Sequence, residues 1–482
     1  MTTGNAYRAI TVEPVLVLYI TALLLQLPVY QHYVYHRAQL ELMGNNQSGL
    51  ADSSHCNANN SKLDHEIQRR ASKYILAIGM AGTFPAIFSS LLYGPLSDRK
   101  GRIPIMRLPP LGSLIDVSIA LLTIYLDLPL YIMAIGSAIG GVSGQYTTLV
   151  FTVTAYVTDT TSDAARLSVR LARLEAIALL GGTIAQATSG LWVEHLGYAA
   201  PYWFLFACQL CTFLYITFSL PESHEKLPCG TKACYSCRDL QLLAGVVFKH
   251  RNDRGRVKIL LLLATSFLSL LPVGVLNQLV ILYAKDFPLC WRADLIGYFL
   301  ACLFFGRAVG AVVCMKFLKW FNWQDYSVVQ LGSVFLMGLL VMIGLSTTTL
   351  DMFLATLPCL MAGLPQPCIR ALTSHIVNDS EQGSLFSIVA SIESLCNFLA
   401  NIIFNPVYQT SLDYSWPHSN GLIFFINAGV ILIPLIIVSY LKFYDGKFKE
   451  YEPIDSGIPN SKSFTSSSSL SEESNYKHQP IS

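Results

Sequence analysis

Tyr93-Gly-Pro-Leu-Ser-Asp-Arg-Lys-Gly-Arg102 lies wedged between two long apolar segments. An apolar run of about 18 residues or more spans a bilayer as a helix. The stretch between them is too short to be a domain. It reads as a tight hairpin joining two membrane helices, and its Arg and Lys side chains place it on the cytoplasmic side.

Composition points the same way. Hydrophobic residues make up 53% of the 482, charged residues only 13%, and the mean hydropathy is +0.47. Soluble domains carry about 25% charged residues, which argues against a soluble chain. A formal net charge of +2 without a long basic run argues against nucleic acid as a partner and leaves membrane lipid as the surroundings. Residues 1–11 lack the charged region and cleavage site of a removable signal. The apolar run that follows, Val12 to Val34, is long enough to stay in the membrane.

Apolar runs of this length recur about twelve times. They fall near 12–34, 74–96, 103–126, 129–157, 167–193, 199–220, 258–283, 293–318, 326–346, 350–372, 384–408 and 420–442. The chain thus reads as an N-terminus (1–11), a six-helix half (12–220) with a long outer loop (35–73), a linker (221–257), a second six-helix half (258–442) and a tail (443–482). Lys and Arg gather in alternate loops: Arg99 and Lys100, Arg166 to Arg173, Lys249 to Lys258, Lys316 and Lys319, and Lys442 to Lys449. This bias puts those loops and both termini in the cytoplasm.

The long outer loop carries two glycosylation acceptors, Asn46-Gln-Ser and Asn59-Asn-Ser. Cys56 and Cys290 are the two cysteines expected on the oxidising face, either bridged between the halves or left as free thiols. Cys229, Cys234 and Cys237 cluster in the linker without a fourth ligand, so no metal and no other cofactor is assigned.

Ionisable residues inside the spans carry the functional reading. A charge at mid-bilayer costs at least about 2.5–3.5 kcal/mol on insertion scales, so such residues usually face a cavity. Glu175 lies in the fifth segment, where a carboxyl in a low-dielectric setting is able to bind and release a proton. Glu393 in the eleventh is a second such carboxyl. Arg307 and Arg370, in the eighth and tenth, are cations suited to a buried carboxylate or an anionic substrate. Asn277 and Gln278 are polar groups available to line the cavity. His32 near the outer end of the first segment either titrates in an acidic lumen or is simply hydrogen-bonded at the interface. Asp98 and Arg102 are expected to form a cytoplasmic charge latch. Asp159, beside the basic loop at Arg166, is read as a structural ion pair. Asp116 receives no role. Pro28 and Pro272 should kink the first and seventh segments, and Pro365 and Pro367 should break the tenth.

The Gly-x-x-x-Asp-Arg-x-Gly-Arg hairpin resembles the loop signature of the major facilitator superfamily. Val12-Glu-Pro14, Gln31 to Arg37, Pro288-Leu-Cys-Trp291, Ile296-Gly-Tyr298, Ile369-Arg-Ala371 and Glu381-Gln-Gly-Ser-Leu-Phe386 together resemble solute carrier family 46. The resemblance implies an all-α polytopic membrane protein with the major facilitator fold, twelve transmembrane helices in two six-helix halves, and proton-driven movement of organic anions. It implies proton coupling at Glu175, matches for Asp159 and Arg370, and a Cys56–Cys290 disulfide. Where folate carriers of the family have a histidine and an acid, this chain has Val273 and Ala284, and the helix 4 arginine has no counterpart among Gly140 to Gly144.

Tyr451-Glu-Pro-Ile454 has the Tyr-x-x-apolar pattern of a sorting signal read by clathrin adaptors. The expected function is a proton-coupled symporter, not an enzyme, moving amphipathic organic anions from a lysosomal lumen or the exterior to the cytosol. Such cargo includes steroid conjugates and muropeptide-like or cyclic-dinucleotide-like solutes. A folate carrier is the alternative, and a non-transporting receptor or scaffold is the reading from another class.

Overall fold

A computed structural model describes residues 12–43, 61–161, 164–223, 255–286, 288–374, 376–377, 382–411 and 419–451. Within these the chain is helical almost throughout, and eleven helices are long and apolar enough to cross a membrane. It is a multi-pass membrane protein. Large apolar side chains such as Leu122, Ile184, Phe305 and Ile436 are exposed, while Gln31, Gln68, Asn405 and Asn427 are buried. This inversion suits a bundle surrounded by hydrocarbon, where polar groups must find partners inside the protein.

The first half comprises α1 (Glu13–Met43), α2 (Ser61–Lys100), α3 (Arg102–Met106), α4 (Leu108–Tyr125), α5 (Tyr131–Val142), α6 (Gln145–Thr160), α7 (Ala164–Leu196) and α8 (Ala199–Phe218). The second comprises α9 (Gly255–Lys285), α10 (Ala293–Val309), α11 (Met315–Trp320), α12 (Asp325–Leu345), α13 (Thr349–Leu354), α14 (Cys359–Ala362), α15 (Pro365–Ser374), α16 (Gln382–Ser411), α17 (Leu422–Val430) and α18 (Leu432–Tyr451). A π-helical turn, Gly310–Cys314, joins α10 to α11. Two compact units divide after Lys442; of residues 443–482 only the helical stretch to Tyr451 is described. Below, the outer end of the bundle is the one that α1 and α2 reach at Met43 and Ser61.

Three elements differ from the sequence reading. Residues 35–43 and 61–73, expected as loop, continue α1 and α2; polar residues extend a helix once the apolar span has nucleated it. The fourth segment is not one helix. Gly144 (φ 90°) and Gln145 (φ 48°) both take the left-handed backbone and separate α5 from α6. Helix α2 meets the break: Tyr93 Oη donates to the Val142 carbonyl at 2.7 Å, and Ser89 Oγ lies 3.0 Å from the Gly141 carbonyl, which also accepts from the Gly144 N–H. The tenth segment is broken ahead of Pro365, not at it, because proline fits the first turn of α15, where its missing N–H is not needed.

Helices α2 and α16 run antiparallel along the seam between the halves. Tyr408 Oη donates to Gln68 Oε1 (2.8 Å) and Ser72 Oγ to Asn405 Oδ1 (3.0 Å). Deeper, the Ser90 and Ser391 hydroxyls lie 3.2 Å apart, and Gly94 leaves space that Ser387 fills. A second seam brings α7 against α10 at Gly190, where Ala293 and Asp294 approach too closely for any Cβ. Toward the outer end, Gln31 donates to the Asn277 carbonyl (3.3 Å) and Arg292 pairs with Glu194 (3.3 Å).

Candidate functional site

The break at Gly144 sets Tyr146 in the first turn of α6, facing the other half. Its hydroxyl donates to the Glu393 carboxylate of α16. The other Glu393 oxygen lies 3.5 Å from Arg370 Nη2 of α15. Next to this contact the Thr147 and Ser394 hydroxyls lie 3.2 Å apart. One carboxylate thus joins three helices and both halves. Its partners are matched to it, since a guanidinium only donates and a carboxylate only accepts. The side chains are half-buried, Glu393 18% and Arg370 33% exposed.

Arg307 on α10 rests its stem against Gly363, beside the break that begins α15. Among the described residues it makes no hydrogen bond and no ion pair. Asn277 offers its carbonyl to Gln31, while the side chain of Gln278 lies outside the described residues. Glu175 lies on α7, and its side chain too lies outside them. His32 is buried on α1 with no partner for Nε2; it faces Lys285, whose ammonium sits 4.2 Å from the Tyr35 ring centroid.

At the inner end, Arg102 lies at the centre of a compact charge network. It donates to Asp98, to Ser97 Oγ (3.0 Å) and to Asp159 Oδ2 (2.8 Å). Asp159 therefore forms an ion pair with Arg102 of α3, while the side chain of Arg166 lies outside the described residues. Glu222, which the sequence reading passed over, accepts from the backbone N–H groups of Arg102 (2.7 Å) and Ile103 (3.3 Å) at the start of α3. Gly101 (φ 97°) faces that carboxylate with no room for a Cβ.

Cys290 is disulfide-bonded, and its partner lies outside the described residues, as do Cys56, Asn46, Asn59 and Ile454. Tyr451 closes α18, its side chain likewise outside. Tyr146 and Glu222 were missed for different reasons. Nothing marks one tyrosine among 24. Glu222 did carry a signal: an acid just past the apolar end of a segment, on the side where free helix N–H groups gather.

A helical membrane bundle with eleven candidate spans, its two halves meeting at a charged contact, is the architecture of a membrane transporter. The Major Facilitator Superfamily model matches residues 63–401, and the chain belongs to that superfamily. Its relatives are solute carrier family 46 proteins. A proton-coupled folate transporter of Rattus norvegicus is 29% identical, covering 91% of this chain and 95% of that protein. The lysosomal proton-coupled steroid conjugate and bile acid symporter SLC46A3 of Homo sapiens is 27% identical, covering 92% and 97%. Among solved structures, the human organic anion transporter MFSD10 superposes with TM-score 0.66 at 17% identity, covering 89% of this chain and 97% of that one. A D-xylose-proton symporter superposes with TM-score 0.60 at 14% identity, covering 88% and 96%.

Proposed function

We propose that this chain is a proton-coupled symporter that carries amphipathic organic anions toward the cytosol by alternating access, with α5 and α6 together forming a twelfth crossing. The observation that carries this reading is the Tyr146–Glu393–Arg370 contact between the halves, together with Arg307, which has no ion-pair partner among the described residues. An intramembrane guanidinium is costly without a counter-charge. An anionic cargo supplies one at Arg307 and competes with Glu393 for Arg370, loosening the contact to Tyr146. Glu175 carries the proton in on the acidic side and loses it to the neutral cytosol, so the pH difference drives release. Asn277 and Gln278 line the path, and His32 lies at its outer end.

The relatives' printed substrates, a steroid conjugate or bile acid and folate, support this cargo class. Steroid conjugates are favoured over folate because Val273 and Ala284 stand where the folate carriers have ionisable groups. In the same reading Cys56 bridges to Cys290, Asn46 and Asn59 carry glycans, and Tyr451 with Ile454 sorts the protein to lysosomes through a clathrin adaptor.

The test is uptake of a labelled bile acid, a sulfated steroid and folate into proteoliposomes with and without an inward proton gradient. Wild type should accumulate at least one anion only with the gradient, and Glu175→Gln should abolish that dependence. Gradient-independent uptake by both proteins would overturn proton coupling; no uptake by either would favour a receptor.

A further inference from the structure

The N-terminal half holds a carboxyl group that the reading above does not use. Asp116 lies in the middle of α4, half-buried and turned toward the helices around it. Gln26 Nε2 of α1 donates to its Oδ2 at 2.8 Å, and Ser137 Oγ of α5 donates to its Oδ1 at 3.5 Å. Gly136 leaves room for it: a Cβ there would sit 2.7 Å from Oδ1. The ionisable groups that face it are the phenols Tyr19 and Tyr30 of α1 and Tyr202 of α8. Among the described residues, no Lys, Arg or His pairs with it from α1, α3, α5, α6 or α8.

This setting contrasts with that of Glu393. Glu393 has a tyrosine hydroxyl and a guanidinium as partners, and the guanidinium, which has no acceptor, suits only the ionised carboxylate. Both partners of Asp116 work in either direction. A glutamine amide presents two N–H donors or, after a half-turn, a carbonyl acceptor, and a serine hydroxyl both donates and accepts. The carboxylate is satisfied as it stands, and the neutral acid is satisfied once Gln26 turns. A charge without an ionic partner in the span is costly, whereas a hydrogen-bonded neutral acid is not.

Gln26 also has leverage. It lies two residues before Pro28, which cannot donate to the Leu24 carbonyl. That carbonyl is taken instead by Gln186 Nε2 of α7 at 2.8 Å. The weakest turn of α1 is therefore bounded by the Asp116 contact and by a contact to the helix that carries Glu175.

We infer that Asp116 is a second proton-binding site, separate from the Glu393 contact between the halves, and that Gln26 turns with its protonation beside the Pro28 interruption of α1. On uptake one O–H bond forms on the carboxylate and the negative charge disappears; release breaks the same bond and returns the proton to water. This goes beyond the function proposed above and has its own test.

The experiment is pH-difference infrared spectroscopy of the full-length protein in lipid nanodiscs without substrate, between neutral and mildly acidic medium. Wild type should show a carboxylic-acid C=O band that moves when all aspartates carry a 13C-labelled carboxyl. Asp116→Asn should lose that band in full, Asp116→Glu should restore one at a changed frequency, and Gln26→Met should shift it. Glu393→Gln and Glu175→Gln should leave it in place. A wild-type spectrum with no aspartate-dependent band, or a band that survives in Asp116→Asn, overturns the inference. The labelling result stands even if the variants fail to fold. Failure of proton-driven uptake with the band intact would sink the symport reading and leave this one standing.

Discussion

Gln186 of α7 donates to the Leu24 carbonyl of α1 at 2.8 Å, filling the vacancy that Pro28 creates four residues on. A proline inside a membrane helix is tolerated where a neighbouring helix satisfies the freed carbonyl. Gln186 does so from a fully buried position.

Gln186→Leu should therefore strand a carbonyl in a low-dielectric interior, at a cost of about 1–3 kcal/mol. Thermal unfolding in detergent would register this as a lowered midpoint. Pro28→Ala restores an intrahelical donor, so it should recover most of the loss in the double variant. Equal effects of Gln186→Leu in both backgrounds would disprove the compensation.

Gly101→Ala should be more damaging than its size suggests. The residue holds φ at 97° and ψ at 164°, a region that costs non-glycine residues roughly 1–3 kcal/mol, and the added methyl meets Glu222. Lowered yield and midpoint are expected. Partial recovery by Glu222→Gly would attribute the excess to that collision.

Tyr146→Phe removes one hydrogen bond to a charged acceptor, about 1.5–3 kcal/mol at most. Glu393→Gln removes the ion pair and leaves Arg370 facing an amide. Uptake assays should show the larger loss for Glu393→Gln, and a double variant no worse than that single one. Additive losses would mean that the two side chains act independently.

Arg307→Gln should raise KM for an anionic probe by about tenfold, a change of roughly 1.4 kcal/mol, with kcat less affected. Arg307→Lys keeps the charge without the planar fork and should fall between the two. An unchanged KM in Arg307→Gln would remove this residue from the cargo path.

Peptide mapping under non-reducing conditions should recover Cys290 joined to Cys56. Recovery of Cys290 with any other cysteine would redraw the outer loop.

Charge made much of this protein legible. Arg102, Arg370 and Glu393 stand out in an apolar sequence because an isolated charge there is expensive, and each has an ionic partner in the structure. The partner itself was less legible: Asp159 could be assigned an ion pair but not Arg102 as its mate, since the two lie 57 residues apart. Most neutral polar groups were not legible. Gln26, Gln186 and Tyr146 act through one hydrogen bond each across helices, and a glutamine or tyrosine in a span has no periodicity to betray it. The division of the fourth segment was written in Gly140-Gly-Val-Ser-Gly144, but a glycine-rich run inside an apolar stretch reads as well for close packing as for a turn. The turn closes on its own Gly144 N–H to Gly141 carbonyl bond, and Tyr93 of α2 supplies a donor to Val142.

Glu222 also bears on how the two halves are strung together. Because it clasps the start of α3, the stretch of chain leading from the first half to the second is moored at its root instead of hanging from the end of α8. A connector trimmed too short would pull first on the start of α3 at Arg102, and the first symptom would be an undone inner clasp.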